Sequence, residues 1–352
     1  MTTTINGTGG VSLASLASVA SDVQGTASAL SSVNGGQLAG LRNRFINGGM
    51  QISQRGSNGY AAAAAAYGGC DRYVSTVSAT TVSAVALQVY AGPAYTTTGY
   101  AHQIGNVITT GATVVQLHQR IESINAAPLT GKQVTFSGKV LQVTGASQTV
   151  SIGFSRANAT NDFSAQTAMQ STTQVIPNNT WTTFSFTTTF TDTGLANGLL
   201  AYTSYSLGAQ TNTGANTSQF YFADWQLETG SIATPFEQRP IGMELALCQR
   251  YYEVVQGPGA LIGSIASTTT GYAGIKFSVT KRAVPTLIAA AGTYNIFSGT
   301  AGNTASTNPP TFIGATTDGC MVLLTGYTGL TLGQVFLSTG TTNPPLGFSA
   351  EL

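Results

Sequence analysis

Few side chains in this 352-residue sequence could carry out acid–base or nucleophilic chemistry. The two histidines, His102 and His118, lie in no recognisable serine or cysteine motif, although nucleophilic catalysis needs a base beside the nucleophile. The three cysteines, Cys70, Cys248 and Cys320, are scattered singly, which predicts neither a disulfide framework nor a zinc cluster. We therefore expect no catalytic residue, no metal site and no cofactor.

The twelve acidic residues are the remaining candidates for glycosidase carboxylates or calcium ligands. No acid pair is apparent, although the two carboxylates of a glycosidase can be distant in sequence. The N-A-T-N-D segment 158–162 offers oxygen atoms to calcium but lacks the ligand spacing of a known loop. Isolated acids more often form salt bridges or turns, so the expectation is a protein that is not an enzyme.

Aromatic side chains beside threonine and asparagine indicate a different chemistry, the binding of a sugar without its cleavage. Rings stack on the C–H faces of sugars, and amides form hydrogen bonds with sugar hydroxyls. We predict that Trp181, Tyr202 and Tyr205 contribute to a glycan-contacting face. The alternative is that such rings are core residues, with Trp181 buried beside Phe184 between two sheets. Further tyrosines fall in or near predicted loops: Tyr60, Tyr67, Tyr90, Tyr95 and Tyr100.

Composition and charge exclude several classes of protein. Charged residues make up 7% of the chain, against about 25% in a typical soluble domain. With 13 Lys+Arg against 12 Asp+Glu, there is no basic field for nucleic acid. No stretch approaches the ~20 apolar residues of a membrane helix, and no leader with a basic start is evident, since Arg42 is the first basic residue. Threonine, glycine and β-branched residues predict an all-β protein with a neutral surface.

The hydrophobic pattern divides the chain into four segments. Residues 1–44 form an N-terminal arm, residues 45–240 a β domain, residues 241–256 a helical connector and residues 257–352 a second, smaller β domain. In the arm, apolar or small residues are alternately three and four positions apart, at Leu13, Leu16, Ala20, Val23, Ala27 and Leu30. This spacing predicts a short helix that bundles with copies of itself, and a flexible Gly/Ser-rich arm is the alternative.

Short alternating or apolar runs between turn residues predict the strands. The first β domain has eight, which at this spacing predict a two-sheet jelly roll: Asp71–Ala79, Val82–Ala91, Thr113–Glu122, Gln133–Val143, Thr149–Ser155, Thr180–Thr191, Leu199–Leu207 and Ser218–Leu227. The second has Gly259–Ala266, Gly271–Thr280, Thr286–Ala291, Met321–Tyr327 and Gln334–Ser338. In the connector, Leu247, Tyr251 and Val254 are spaced to share one helical face.

Seven segments, in order along 45–352, resemble motifs of bacteriophage tail-fibre and related virion proteins. The first, Phe45–Gly56, is similar to the family's "NGdfqiwQRG" opening. The others are Cys70–Tyr73 ("aDRW"), Leu117–Glu122 ("lsQrIE"), Leu129–Ser137 ("l.Gk.vTlSf"), Trp225–Pro240 ("vQLE.G..aTpfe.Rp"), Glu244–Tyr252 ("EL.lCqRYy") and Lys281–Thr286 ("mRaaPT"). Each match is weak alone, whereas the ordered series is specific. Tyr73 stands where the family has tryptophan, and Lys281 where methionine is usual.

The resemblance implies a carbohydrate-binding-module-like jelly roll and a smaller β domain in a homotrimeric phage tail fibre or spike. Such a protein is a structural virion component that adheres to the host without catalysis. Its arm, residues 1–44, would attach to other virion proteins, and its β domains would contact a host-surface glycan or outer-membrane receptor. The alternatives are a fibre adaptor or head decoration that binds no sugar and, less favoured without a β-helix repeat or acid pair, a depolymerising tailspike.

The resemblance does not supply a sugar site, because the matched residues look architectural. In so uncharged a chain, the scarce charged residues of the motifs are expected to form buried or partly buried ion pairs that fix register. These residues are Arg55, Arg72, Arg120, Glu122, Glu228, Glu237, Arg239 and Arg250. A lysine in place of methionine at Lys281 puts the burial of that position in doubt.

Overall fold

The computed structural model describes residues 41–56, 60–61, 66–210, 218–339 and 343–352, together with two short paired strands, β1 (Ser32–Val33) and β2 (Gly36–Gln37). The predicted heptad helix over 13–30 lies outside the described residues. From Leu41 onward, the described chain is mostly antiparallel β structure, as the composition predicts.

Two six-stranded sheets form a jelly-roll sandwich, which confirms the predicted fold class. The strands are β3 (Tyr60–Ala61), β4 (Ala66–Tyr67), β5 (Tyr73–Ser78), β6 (Thr81–Tyr90), β7 (Tyr100–Thr110), β8 (Thr113–Ile121), β9 (Gln133–Val143), β10 (Gln148–Ala159), β11 (Asp162–Ile176), β12 (Thr182–Thr189), β13 (Leu199–Leu207) and β14 (Ser218–Thr229). The first sheet has the order β11-β10-β13-β8-β5-β4, and the second has the order β12-β9-β14-β7-β6-β3. A short helix, α1 (Ser123–Ala126), and 3-10 turns at Ala127–Leu129 and Thr193–Asn197 connect strands of the sandwich.

The period-2 alternation of strand side chains builds the core between the sheets. Phe220 and Phe222 of β14 point inward, as do Phe184 and Phe186 of β12. Phe136 lies at the centre, with its ring 5.0 Å from the Phe184 ring and edge-on to it. Edge-to-face pairs of this kind contribute about 0.5–1.5 kcal/mol beyond the burial of their area.

All eight predicted runs of the jelly roll contain a strand, but β7, β11 and the two-residue strands β3 and β4 have no corresponding run. Strand β11 is an edge strand of Ser, Thr and Gln residues whose side chains are mostly exposed, so it shows no apolar alternation. Strand β10 also continues through Arg156–Ala159, which the turn-rich composition of 156–163 assigns to a loop. Edge strands can form with few apolar residues because only backbone pairing on one side holds them.

The predicted helical connector is shorter than its sequence segment of 241–256. Helix α2 (Ile241–Gln249) is followed at once by strand β15 (Tyr252–Val255). The predicted apolar stripe through Leu247 is wrong, because the buried helix residues are Glu244 and Cys248. Glu244 faces inward because its carboxylate accepts hydrogen bonds from Arg239 and from the Asn47 backbone amide.

The C-terminal part of the chain has two further antiparallel sheets. Its strands are β16 (Ile262–Ile265), β17 (Gly271–Lys276), β18 (Thr286–Ala289), β19 (Tyr294–Ser298), β20 (Gly302–Ser306), β21 (Thr311–Ala315), β22 (Gly319–Leu324), β23 (Val335–Ser338) and β24 (Leu346–Ser349). A three-stranded sheet, β15-β24-β18, packs against a seven-stranded sheet, β20-β19-β23-β16-β17-β22-β21. Phe348 joins them, with its ring 5.1 Å from that of Phe277. No described helix is both long and apolar enough to cross a bilayer.

The Phe45–Gly56 segment owes its shape to backbone constraints and buried hydrogen bonds. Asn47 has a left-handed φ of 59°, and its side-chain amide donates to the carbonyls of Ile52 (2.8 Å) and Asp71 (3.0 Å). A Cβ on Gly48 would lie 2.3 Å from the Trp225 carbonyl oxygen, so only glycine fits there. Asn47 and Gly48 therefore have a structural role.

Arg55 and Arg72, from two of the seven motif segments described above, converge where Glu351 lies against the jelly roll. Arg72 is buried, forms an ion pair with Glu351 and has its guanidinium 3.4 Å from the Tyr251 ring centre. Arg55 approaches the same carboxylate at 3.4 Å and lies 3.6 Å from the Tyr252 ring centre. These contacts hold the C-terminal part of the chain to the sandwich.

Five of the eight charged positions form ion pairs as predicted, namely Arg55, Arg72, Glu122, Arg239 and Arg250. The other three make hydrogen bonds instead within the described chain. Arg120 donates to the Leu352 carbonyl, Glu228 accepts from the Thr234 amide, and Glu237 accepts from the Asn43 amide. Either arrangement offsets the cost of burying a charge.

Candidate functional site

The outer face of the second jelly-roll sheet carries a cleft lined by aromatic and amide side chains. Because Phe220 and Phe222 point into the core, Tyr221 between them points outward. The same alternation places Trp181, just before β12, on the outer face, because Phe184 points inward. We call this site the aromatic cleft; its lining residues are Val89, Tyr90, Ala91, Tyr95, Leu141, Val143, Asn179, Trp181, Gln219 and Tyr221.

The aromatic rings define the shape of the cleft. Trp181 and Tyr221 lie side by side with ring centroids 6.2 Å apart and an interplanar angle of 59°. Tyr90 and Tyr95 are exposed, and Tyr90 makes an edge contact with Tyr100 at 5.5 Å. The cleft has a volume of about 420 Å³. This is within the ~300–1,000 Å³ range of small-ligand sites.

A hydrogen-bonded amide network fixes the Tyr221 side of the cleft. The Gln103 side-chain amide donates to the Tyr221 hydroxyl at 2.8 Å and to the Gln219 carbonyl oxygen at 3.1 Å. Tyr221 in turn donates to Gln219. Partial burial raises the pKa of Tyr221, so its hydroxyl is protonated at neutral pH. The network holds a ring and two amides in fixed positions.

The loop between β6 and β7 forms one wall of the aromatic cleft. Two charged residues, Lys139 and Asp224, hold this loop in place. Lys139 donates from Nζ to the Tyr95 carbonyl at 2.8 Å and forms an ion pair with Asp224 at 3.1 Å. Asp224 also accepts from the Thr97 amide at 2.9 Å. A Cβ on Gly99, whose φ is +82°, would lie 2.8 Å from the Tyr90 ring, so glycine lets the loop close against it.

A second cavity, of about 350 Å³, adjoins the aromatic cleft on the same face. Lys139, Thr183 and Asp224 line it, together with residues 233–236. Asp224 and Lys139 satisfy each other's charge, so this cavity presents no unpaired charge from them.

The aromatic cleft can bind an uncharged, hydroxylated ligand. Its tyrosine and tryptophan rings offer stacking surfaces, and Asn179 and Gln219 offer amide groups. None of the described residues that line it is a carboxylate, lysine, arginine, histidine or cysteine. Its chemistry is that of stacking and neutral hydrogen bonds.

The structure separates the three predicted site residues. Trp181 lies in the aromatic cleft and is half-buried, so the alternative of burial beside Phe184 is wrong. Tyr205 is fully buried, with its ring 4.9 Å from that of Phe220. Its predicted role in a surface site is therefore wrong, because residues 199, 201, 203, 205 and 207 of β13 all point into the sandwich.

Tyr202 is half-buried but lies on the outer face of the other sheet, and so on the opposite side of the sandwich from Trp181. Its ring packs against the small cluster of Ala157, Phe163 and Leu200. It does not share the aromatic cleft. A contribution of Tyr202 to glycan binding would require a separate site.

Sequence reasoning missed Tyr221 and Gln219, which contribute a ring and an amide to the cleft. The available signal was the alternation of β14, in which Tyr221 falls between two core phenylalanines. Tyr90 and Tyr95 were identifiable only as loop-associated tyrosines. Tyr90 and Tyr95 lie in the same cleft as Trp181 because of the order of the strands in the sheet, which local sequence patterns do not specify.

The two histidines occupy buried positions. The Cys70 amide donates to His102 Nδ1 at 3.3 Å, so Nε2 carries the proton and donates to Ser75 Oγ at 2.7 Å. His118, on β8, is also buried. Burial lowers the pKa of each to about 3, so both are neutral near pH 7.

The described residues contain no group of three or more His, Cys, Asp or Glu side chains placed to hold a metal ion. The 158–162 segment instead comprises the end of β10, the turn at 160–161 and the first residue of β11. There Asp162 accepts from the Ser164 amide at 2.9 Å, and Thr167 donates to Asn158 at 2.7 Å. These oxygens have local partners.

No family model and no curated protein matches the sequence. Solved structures with a similar fold include the TmCBM61 carbohydrate-binding module in complex with β-1,4-galactotriose, at a TM-score of 0.31 and 12% identity over 53% of this chain and 99% of that one. A family 11 carbohydrate-binding module from Clostridium thermocellum, in complex with a mixed-linked tetrasaccharide, has a TM-score of 0.28 and 11% identity over 46% and 91%.

The enzymatically active domain of bacteriophage CBA120 tailspike protein 4 is also similar, at a TM-score of 0.35 and 12% identity. The match covers 53% of this chain and 21% of the tailspike chain. Two of these three neighbours are carbohydrate-binding modules. The jelly roll of this chain is defined by its own strand order.

Proposed function

We propose that this chain is a structural component of a bacteriophage tail fibre or spike that adheres to the host surface by binding an uncharged glycan in the aromatic cleft. The observation that carries the proposal is the juxtaposition of Trp181, Tyr221 and Tyr90 with the Asn179 and Gln219 amides on one exposed sheet face. Uncharged sugars present C–H faces and hydroxyls, which these rings and amides complement.

The virion assignment is supported by the seven ordered motifs that resemble phage tail-fibre proteins. Their matched residues include Asn47, Arg72 and Arg239, whose buried contacts fit the architectural role that the resemblance implies. On this proposal the protein is a homotrimer, residues 1–44 attach it to other virion proteins, and its place is the virion surface.

The proposed binding is non-catalytic. Glycoside cleavage normally needs two carboxylates flanking the scissile bond, and none of the described lining residues of the aromatic cleft is acidic. The carboxylate on the neighbouring surface, Asp224, is paired with Lys139. This chemistry favours adhesion over cleavage in the cleft.

Affinity at one such site is expected to be weak. Millimolar dissociation corresponds to about 4 kcal/mol. Three copies on one fibre, and several fibres on one particle, would raise the avidity by ~100-fold or more where the spacing allows. A weak single site is therefore compatible with firm attachment of a whole particle.

The test is glycan binding by the full chain and by two matched aromatic variants. We expect Trp181→Ala to raise the Kd for a neutral oligosaccharide at least about tenfold, which is the loss of ~1.4 kcal/mol of stacking. Tyr202→Ala removes a partly exposed ring on the opposite face and should leave the Kd within about twofold. The probes are arrayed neutral hexose oligosaccharides, with uronic-acid oligosaccharides alongside, followed by calorimetry on the best binder.

Equal losses in both variants, or binding confined to acidic sugars, would contradict the assignment of the aromatic cleft. Release of reducing ends from host polysaccharide by the purified protein would contradict the non-catalytic claim. Circular dichroism of each variant verifies the fold before binding is compared.

A further inference from the structure

The outer face of the seven-stranded C-terminal sheet is unusually apolar. Strand alternation turns Ile265, Val322 and Phe336 inward to the core and leaves their neighbours facing outward. We call the outward set the apolar sheet face; its large side chains are Ile262, Tyr272, Phe297, Ile313, Met321, Val335 and Leu337.

Strand register makes this face continuous. Leu337 is paired directly with both Phe297 and Ile262 across adjacent strands. Ser264, on the central strand β16, lies between Val335 and Tyr272. Directly opposed residues on one side of an antiparallel sheet have Cβ atoms about 4.5–5.5 Å apart. The apolar side chains therefore form one patch.

The patch is large for a surface that contacts only water. Val335 is 66% exposed, Ile262 59% and Ile313 49%. With about 150–250 Å² for a fully exposed side chain of this size, the seven together present roughly 600 Å² of apolar surface. Contiguous patches of this extent on a soluble monomer usually mark an interaction site.

We infer that a second copy of this chain covers the apolar sheet face. Lys276, at one end of β17, is the charged residue among the outward-facing positions of the described strands in this sheet. Apposing two copies therefore brings little like-charge repulsion into the contact. A highly charged partner would instead need several complementary charges, whereas Lys276 is the one that the described strands place on this face.

The geometry and area of the face also suit a second copy. Pleated sheet faces pack about 10 Å apart, and two equal apolar sheet faces can pack by the same interdigitation that builds a β-sandwich core. Roughly 600 Å² per copy approaches the ~800 Å² that each partner buries in a standard interface. Two equal faces packed against each other form a two-fold contact, so the inference is separate from the proposed homotrimer, and it is also independent of glycan binding.

The first experiment measures the mass of the full chain by light scattering after size exclusion. The wild type is expected at a multiple of the 36.0 kDa chain mass. The double variant Ile262→Asp/Val335→Asp should shift toward smaller assemblies. The control Ile124→Asp/Val284→Asp changes two equally exposed apolar residues away from the face and should not. Circular dichroism melting verifies that each variant folds.

The second experiment tests directly whether the apolar sheet faces of two copies contact each other. It works even if residues 1–44 also hold copies together. Ser264→Cys places a thiol on the central strand of the face, and a bis-maleimide with a spacer of ~10 Å should link it to its counterpart in another copy. Val284→Cys and the wild type, with its three native cysteines, are the controls and should show only background linking.

A monomeric wild type at tens of micromolar would overturn the inference, as would an oligomer in which Ser264→Cys links no better than Val284→Cys. Linking of Ser264→Cys to an unrelated protein alone would also overturn it. Loss of the oligomer with an unchanged Kd for monovalent sugar would support this interface and leave the proposed glycan site standing. Loss of sugar binding by a protein that still forms the wild-type oligomer would refute only the proposed glycan site.

Discussion

At the residue scale, Lys281 shows how a charge can occupy a position where the resembling family usually has methionine. The side chain is fully buried, donates to the Gln249 carbonyl at 2.6 Å and forms an ion pair with Glu253. Burial lowers the pKa of Lys281, and the Glu253 carboxylate opposes that shift. The position thus remains in the interior because a partner carboxylate accompanies the lysine.

Lys281→Met, the family residue, should therefore destabilise the protein when introduced alone. It leaves the Glu253 carboxylate buried, with the Ser278 amide and hydroxyl as its remaining side-chain partners among the described residues. Breaking a buried pair costs about 3–5 kcal/mol, and the Ser278 bonds place the expected loss near the lower end. The double variant Lys281→Met/Glu253→Gln should recover most of it. Urea denaturation of the two variants measures the difference; additive losses would contradict this account.

At the element scale, the loop between β6 and β7 converts an open sheet face into the aromatic cleft. Its Tyr95 reaches the wall of the cleft because Lys139, on β9, binds the Tyr95 carbonyl and the Asp224 carboxylate. Lys139→Met should free the loop and raise the Kd for the oligosaccharide roughly threefold to tenfold, which is about 0.7–1.4 kcal/mol. This is less than the ~1.5–3 kcal/mol of a hydrogen bond to a charged group, because Lys139 is partly exposed. The control is Lys132→Met, which changes an exposed lysine. Equal Kd values for the two variants would contradict the role of Lys139 in holding the loop.

The same scale shows what the sequence can and cannot predict. Alternation places Phe184 and Phe220 in the core and turns Tyr221 outward, so local patterns contain the direction of each side chain. Local patterns do not show which outward side chains come together in a cleft. That depends on the order of the strands in the sheet and on long-range contacts such as the hydrogen bond from Lys139 to the Tyr95 carbonyl. Tyr205 illustrates the limit, since the serine and threonine residues around it and the Gly/Thr/Asn-rich segment after its strand are typical of a surface strand, although the side chain points inward.

At the scale of the whole molecule, Glu351 couples the C-terminal part of the chain to the jelly roll through Arg55 and Arg72. Glu351→Gln should destabilise the protein by about 3–5 kcal/mol, because the buried Arg72 loses its counter-charge. The control Asp192→Asn removes the half-exposed pair with Arg156 at 2.6 Å. Such pairs contribute about 0–1 kcal/mol. Chemical denaturation compares the two, and equal losses would show that the junction is not held by charge.

The buried histidines make the stability of the whole molecule depend on pH. His102 and His118 have pKa values lowered by burial to about 3, against about 6.5 in an unfolded chain. Between these values the unfolded state binds more protons than the native state, so stability falls as the pH decreases below about 6.5. Each histidine contributes a slope of up to about 1.4 kcal/mol per pH unit.

The measurable signature is the difference in slope between the wild type and His118→Gln. Burial raises the pKa of Asp71, which contributes with the opposite sign, but this contribution is common to both proteins and cancels in the comparison. Glutamine retains a group that can bond to Gln116, the partner of His118 Nδ1 at 3.2 Å. We expect the free energy of unfolding, measured in urea between pH 6 and pH 4, to fall less steeply for His118→Gln by about 1 kcal/mol per pH unit. Parallel slopes would mean that His118 is already protonated or solvated in the native protein, which its burial in the sheet argues against.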